Sequence, residues 1–105
     1  MLFRSLSTLI HAEWTYCFIT EVELLGKPGI KADEQRIVRQ VLSVAAKAAH
    51  TQAINEVAIS LKQKQSIKTP DTLIAATALM HGLPLLTADK GFTKIKSLDI
   101  VLIEN

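Results

Sequence analysis

The stretch that most constrains this chain runs from Lys68 to Phe92, KTPDTLIAATALMHGLPLLTADKGF. Thr69 is a good N-cap and Pro70 is favoured at the first helical position. Leu73, Ile74, Ala76, Ala78 and Leu79 are apolar almost all round, so the helix they build must be buried on more than one side. Gly82 is its expected stop. Leu83 to Thr87 then suits a short buried parallel strand. Asp89-Lys90-Gly91 makes the turn after it, and Phe92 to Lys96 reads as one helical turn. Two aspartates, Asp71 and Asp89, stand at the two ends of this unit.

The rest of the chain surrounds it. Leu2, Leu6, Leu9 and Ile10 recur at helical spacing and predict an amphipathic helix over residues 2–13. Tyr16 to Thr20, YCFIT, is β-branched and aromatic and predicts a short buried strand. Thr20 and Glu23 then fit a helix-start capping box. Gly26 and Pro28-Gly29 stop that helix. From Lys31, Ile37, Val38, Val41, Leu42 and Ala45 form one apolar helical face. Val44 to His50 is alanine-rich, which favours helix. Ile54, Val57, Ala58 and Leu61 give another helical stripe, ending at Lys62-Gln63-Lys64-Gln65. Ile100 to Ile103, IVLI, reads as a last, fully buried strand. Helices alternating with strands that lack polar alternation indicate an α/β domain with a mainly parallel sheet, covered on both faces. At 105 residues this is one domain, 1–105.

Composition narrows the function classes. Hydrophobic residues are 49% and charged residues 21%, so a packed core is expected rather than disorder. The net charge of +2 permits a nucleic-acid substrate without arguing for one. A single cysteine, Cys17, excludes a disulfide framework and fits a buried thiol in a reducing cytoplasm. No apolar run is long enough to span a membrane, and the N-terminal stretch is a poor signal peptide. His11, His50 and His81 have no metal-ligand spacing. Lys62, Lys64 and Lys68 read as a solvated helix end or as phosphate contacts. Trp14 reads as a packing residue.

The acids are the chemistry-bearing candidates. Ligand sites in parallel α/β sheets gather beyond the carboxyl ends of the strands. Glu23 and Asp89 follow two expected strands, while spacing alone does not place Asp71. Three converging carboxylates would suit a hard divalent cation with open positions for water and phosphate. Taken singly, each acid also has a structural reading: Glu23 completing a capping box, Asp71 at a helix N-terminus, Asp89 shaping a turn.

Three pieces taken together resemble the PIN-domain family, in its VapC-like toxin branch. They are ITEVELLGKPGI (Ile19–Ile30), KTPDTLIAATALMHGLPLLTADKGFTKI (Lys68–Ile95) and the ending SLDIVLIEN. The resemblance covers roughly residues 15–105. It implies a three-layer α/β/α sandwich with a mainly parallel sheet. It also implies a Mg²⁺- or Mn²⁺-dependent endoribonuclease acting on RNA in the cytoplasm, paired with an antitoxin and often homodimeric. On the family pattern Glu23 matches the acid of T-x-x-E-L, Asp71 that of P-D-x-x-I-A-A and Asp89 that of T-x-D. These would hold metal and orient the attacking water, with the Thr87 hydroxyl supporting the last acid. Two departures accompany the match. The family's opening strand, with its metal-binding Asp, is absent, so the domain reads as N-terminally truncated. A gap is therefore expected mid-sheet between the strands at 16–20 and 83–87, with unpaired backbone or a second copy's strand filling it. Val44–His50, at a family strand position, is expected to have weak strand character. Two functions follow: an active metal-dependent ribonuclease toxin, or a catalytically inactive remnant that at most binds a partner or itself.

Overall fold

A computed structural model describes residues 2–4 and 14–103, the first three by their backbone. The elements in chain order are β1 (Leu2–Arg4), β2 (Trp14–Tyr16), α1 (Phe18–Leu25), α2 (Ala32–Ser43), β3 (Ala46–Lys47), α3 (Gln52–Lys64), α4 (Thr69–His81), β4 (Leu85–Thr87), a 3₁₀ turn (Lys90–Lys94) and β5 (Ile100–Leu102). The strands form one sheet in the order β3-β2-β1-β4-β5. β2 pairs with β3, and β4 with β5, in parallel. β1 runs antiparallel to both β2 and β4. The architecture is therefore α/β with a mainly parallel sheet, as expected, interrupted by one reversed strand at its centre.

That central strand corrects two expectations. Residues 2–4 are strand rather than helix, and the rest of the expected helix lies outside the described residues. The sheet also has no vacancy between β2 and β4, because Leu2 registers with Tyr16 on one side and with Leu86 on the other. The reversed direction has a physical reason. The connection, residues 5–13, is shorter than the dozen or so residues that a parallel crossover needs.

The expected strand at Tyr16–Thr20 is also corrected. Pairing covers Trp14–Tyr16, and helix α1 starts at Phe18 with Cys17 as its N-cap, without a side-chain cap bond. Thr20 therefore lies inside the first turn, and the capping box with Glu23 does not form. Cys17 and Thr20 are both 1% exposed, and their i, i+3 spacing puts them on one helical face. Burying that face against α4 overrides the strand preference of Phe18, Ile19 and Thr20. Gly26 ends the helix as expected. Ile30 then donates to the Lys27 carbonyl across Pro28-Gly29, with Gly29 at φ +77°. This is the turn that needs Gly at its third position.

The core is built around α4. Ile74, Ala75, Ala76 and Ala78 have no exposed surface, so the all-round apolar pattern is borne out. α4 packs against α3 and α1, and its small alanines let neighbouring elements approach closely. Two threonines on this helix are buried, and each hydroxyl donates to the carbonyl four residues back: Thr72 to Lys68 at 2.9 Å and Thr77 to Leu73 at 2.7 Å. Their polar atoms are thereby satisfied in an apolar setting. The helix begins one residue earlier than expected, with Lys68 as N-cap, and ends at Gly82 with φ +62°. Leu85, Phe92, Ile95 and Leu98 close the core beneath it.

Three further differences lie at the periphery. The α2 face expected to be buried is half-open: Leu42 is buried, but Ile37 and Val41 are about half exposed. Ala46–Lys47 is a two-residue strand, so the helix that alanine propensity favours there does not form, because pairing with β2 holds the segment extended, and the strand character expected to be weak or lost is weak. β5 is an edge strand whose central Val101 is exposed, not a fully buried one.

Candidate metal and nuclease site

The short connection 82–84 between α4 and β4 turns the chain back on itself. The first turn of α4 consequently returns to the carboxyl end of β4. This places Asp71, which spacing alone left open, beside Asp89. Both line a cleft of about 480 Å³. Its lining comes from two segments, Ser66, Ile67, Lys68 and Asp71 before and within α4, and Asp89, Gly91, Phe92 and Lys94 after β4.

The two acids are held differently. Asp89 follows β4, and its N–H donates to the buried Thr87 hydroxyl at 3.0 Å. Its Oδ1 accepts the Gly91 N–H at 2.8 Å. The expected turn role of Asp89 is thus real, and it fixes where the carboxylate lies. A Cβ on Gly91 would meet Asp89 Oδ1 at 3.1 Å, so a larger residue there would press on the carboxylate. Asp71 stands in the first turn of α4, where the helix N-terminus favours negative charge. Burial, and then the charge of Asp89, nevertheless push its carboxyl pKa up, with Lys68 opposing them. Burial is the larger cause, and the neighbouring carboxylate adds to it.

Glu23 is not brought to this cleft. It lies exposed on α1 and is not among the lining residues. Its neighbour Glu21 is the more buried of the two and pairs with Lys47 at 3.3 Å. β1, which occupies the sheet centre, has the sequence Leu-Phe-Arg and contributes no acid. Among the described residues, no three His, Cys, Asp or Glu side chains come close enough to hold one metal ion.

Several contributors were not evident from the sequence. Lys94 and Ser66 reach the cleft only through the fold. Lys62, one of the three lysines grouped by sequence, is committed elsewhere: its Nζ donates to the Ile67 carbonyl at 3.1 Å. That bond ties the end of α3 to the wall carrying Lys68. The Asp-x-Gly turn at 89–91 was the one local signal for the position of Gly91.

Comparison with known proteins places the fold in a family. A family model described as the PIN domain matches residues 3–98. The ribonuclease VapC1 of Rickettsia felis is 44% identical over 45 residues, 42% of this chain and 34% of that protein. The match thus spans about a third of that relative's length. A toxin–antitoxin complex from Klebsiella pneumoniae superposes with a TM-score of 0.71 at 31% identity, covering 85% of this chain and 73% of that one. VapBC2 of Rickettsia felis, bound to a DNA fragment from its promoter, gives 0.65 at 25% identity, covering 84% and 73%. An α/β sheet with paired aspartates beyond β4, and a family match over nearly its whole length, lead to one assignment: this chain belongs to the PIN-domain family and is VapC-like within it.

Proposed function

We propose that the protein is a divalent-cation-dependent endoribonuclease of the toxin–antitoxin kind, cutting RNA phosphodiesters at the cleft between Asp71 and Asp89. The observation that carries this reading is the meeting of those two carboxylates at one cleft, with Asp71 raised in pKa by burial and by Asp89. Mg²⁺ is typically held by one or two carboxylates, with water and substrate phosphate filling the other positions. The donor set therefore fits Mg²⁺ or Mn²⁺, with Asp71 and Asp89 as the residues that would hold it. Such an ion, when bound, supplies Lewis acidity toward the phosphodiester and acidifies a bound water.

The chain's own residues do the positioning. Thr87 and Gly91 orient the Asp89 carboxylate through its backbone N–H and its Oδ1. The first turn of α4 orients Asp71. Glu23 enters this reading as a third acid through the T-x-x-E-L motif alone. The relative named ribonuclease VapC1 supports the reaction class, and the two solved toxin–antitoxin relatives support an antitoxin partner. An apolar surface on α1 and α2, lined by Leu24, Ile37, Val38 and Val41, is suited to a protein partner, either that antitoxin or a second copy. No described helix is long and apolar enough to cross a membrane. A cytoplasmic location follows from the proposed RNA substrate.

A second reading has its own observation. Glu23 lies outside the cleft and β1 carries no acid, so two carboxylates stand where the family pattern expects more. On this reading the 105 residues fold and bind a partner but turn over RNA slowly or not at all, because misplaced ligands cost rate steeply. Cleavage of single-stranded RNA by the purified chain, with Mg²⁺ or with EDTA, separates the two. Metal-dependent products that vanish in Asp89→Asn support the enzyme. A folded chain without such products supports the second reading. Cleavage that persists in EDTA contradicts both.

A further inference from the structure

The cleft carries more than its acids. Lys68 and Lys94, from two separate segments of the chain, line the same cleft as Asp71 and Asp89. Both are exposed. Neither is held in an ion pair among the described residues, whereas Lys27 and Lys47 are paired with Glu34 and Glu21. Lys62 is committed to the Ile67 carbonyl. The three nearby lysines thus divide by role. Lys62 braces a cleft wall, Lys64 does not line the cleft, and Lys68 faces into it. Lys68 already acts on the site, since its charge opposes the rise in the Asp71 pKa.

Two cations without ion pairs among the described residues, lining the same cleft as the two carboxylates, suit a polyanion bound there. The volume, about 480 Å³, lies in the range of small-ligand pockets. It therefore admits a nucleotide-sized piece of one strand. Phe92, the one aromatic lining residue, is 2% exposed and offers no face for a base. Recognition here falls to the backbone rather than to base stacking.

Resting on the ribonuclease reading, we propose that Lys68 and Lys94 bind the phosphates flanking the linkage to be cut. They hold a single RNA strand across the Asp71–Asp89 pair with little preference among bases. The two lysines are binding residues for the strand.

The test is the salt dependence of binding. A short fluorescein-labelled single-stranded oligoribonucleotide is titrated with the full chain over a range of KCl concentrations, without divalent ions, and binding is read by anisotropy. Removing one lysine–phosphate interaction with a single strand makes the slope of log K against log salt shallower by about 0.7. Lys68→Gln and Lys94→Gln should each show that change and together show twice it, with Lys68→Arg restoring the slope. Lys31→Gln, which removes the same charge outside the cleft, should leave it unchanged. Oligouridylate and oligoadenylate should bind the wild type alike. A slope unchanged in Lys68→Gln and Lys94→Gln, or made shallower equally by Lys31→Gln, overturns the lysine assignment alone. So does strong base preference. No RNA binding by a folded wild-type chain, with Ca²⁺ added as well as without it, overturns the ribonuclease reading with it. Circular dichroism of each variant shows that the fold is retained.

Discussion

Replacing Asp71 with Asn should stabilise the metal-free protein at neutral pH. In the cleft, Asp71 is partly buried and faces the charge of Asp89, with Lys68 offsetting some of the cost. Burial and repulsion hold its folded pKa above that of the unfolded chain, about 3.9 for an aspartate. Between those two pKa values the folded state binds more protons than the unfolded one. Stability therefore falls as pH rises through that window, and the deficit persists above it. Asn keeps the shape and removes the charge, so it recovers the deficit. Asp71 borders the open cleft, where solvent screens the repulsion and keeps the gain under about 1 kcal/mol. The lost attraction between a carboxylate and the α4 N-terminus subtracts from it. For a chain of this size, about 1 kcal/mol moves Tm by 4–8 °C, so a rise of a few degrees at most is expected. Thermal unfolding followed by circular dichroism, at neutral pH and again near pH 3, tests this in EDTA. The rise should appear at neutral pH, shrink in high salt and vanish near pH 3. A variant less stable than wild type at neutral pH would mean that the helix N-terminus and Lys68 outweigh burial and Asp89 together. The cost assigned to the Asp71 charge would then be wrong.

Other outcomes follow from the same geometry. Thr87→Val fills the same buried space but removes the acceptor of the Asp89 N–H; it should cost about 1–3 kcal/mol in urea unfolding and lower metal affinity with it. Gly91→Ala pushes a methyl against Asp89 Oδ1, so it should weaken Mn²⁺ binding while leaving Tm within a few degrees of wild type. Ile74→Ala, at a site with no exposed surface, should cost about 2–5 kcal/mol as measured by denaturant titration. Val41→Lys, on the half-exposed α2 face, should change stability by less than about 0.5 kcal/mol yet weaken antitoxin binding or self-association measured by light scattering.

Much of this molecule was legible because local chemistry and tertiary demand agree. In α4, Pro70, the alanines and Gly82 all argue for one buried helix, and the fold needs that helix. In β4 a short apolar run is bounded by a turn, and Asp89-x-Gly91 is a self-contained hydrogen-bonding unit. Where local preference and packing disagree, the pattern misleads. Phe18, Ile19 and Thr20 favour strand, but burying Cys17 and Thr20 together against α4 requires helix. Leu2 and the apolar residues after it share helical spacing, yet backbone pairing on both sides holds Leu2–Arg4 as strand. The site was half legible. Asp71 and Asp89 lie at the ends of one recognisable unit, and a tight helix–strand connection brings such ends together. Glu23 rests on a motif whose partners are distant in sequence, and the described residues leave it outside the cleft. Lys94 and the commitment of Lys62 to a carbonyl depend on long-range geometry that no spacing encodes.

If Asp71 and Asp89 form a divalent-metal site in this cleft, titration of the purified chain with Mn²⁺, reading free ion by electron paramagnetic resonance, reveals it. One saturable site is expected in the wild type, competed by Mg²⁺ and lost in both Asp71→Asn and Asp89→Asn. Binding that survives Asp71→Asn and Asp89→Asn, or a folded wild-type chain that binds no Mn²⁺, would contradict it.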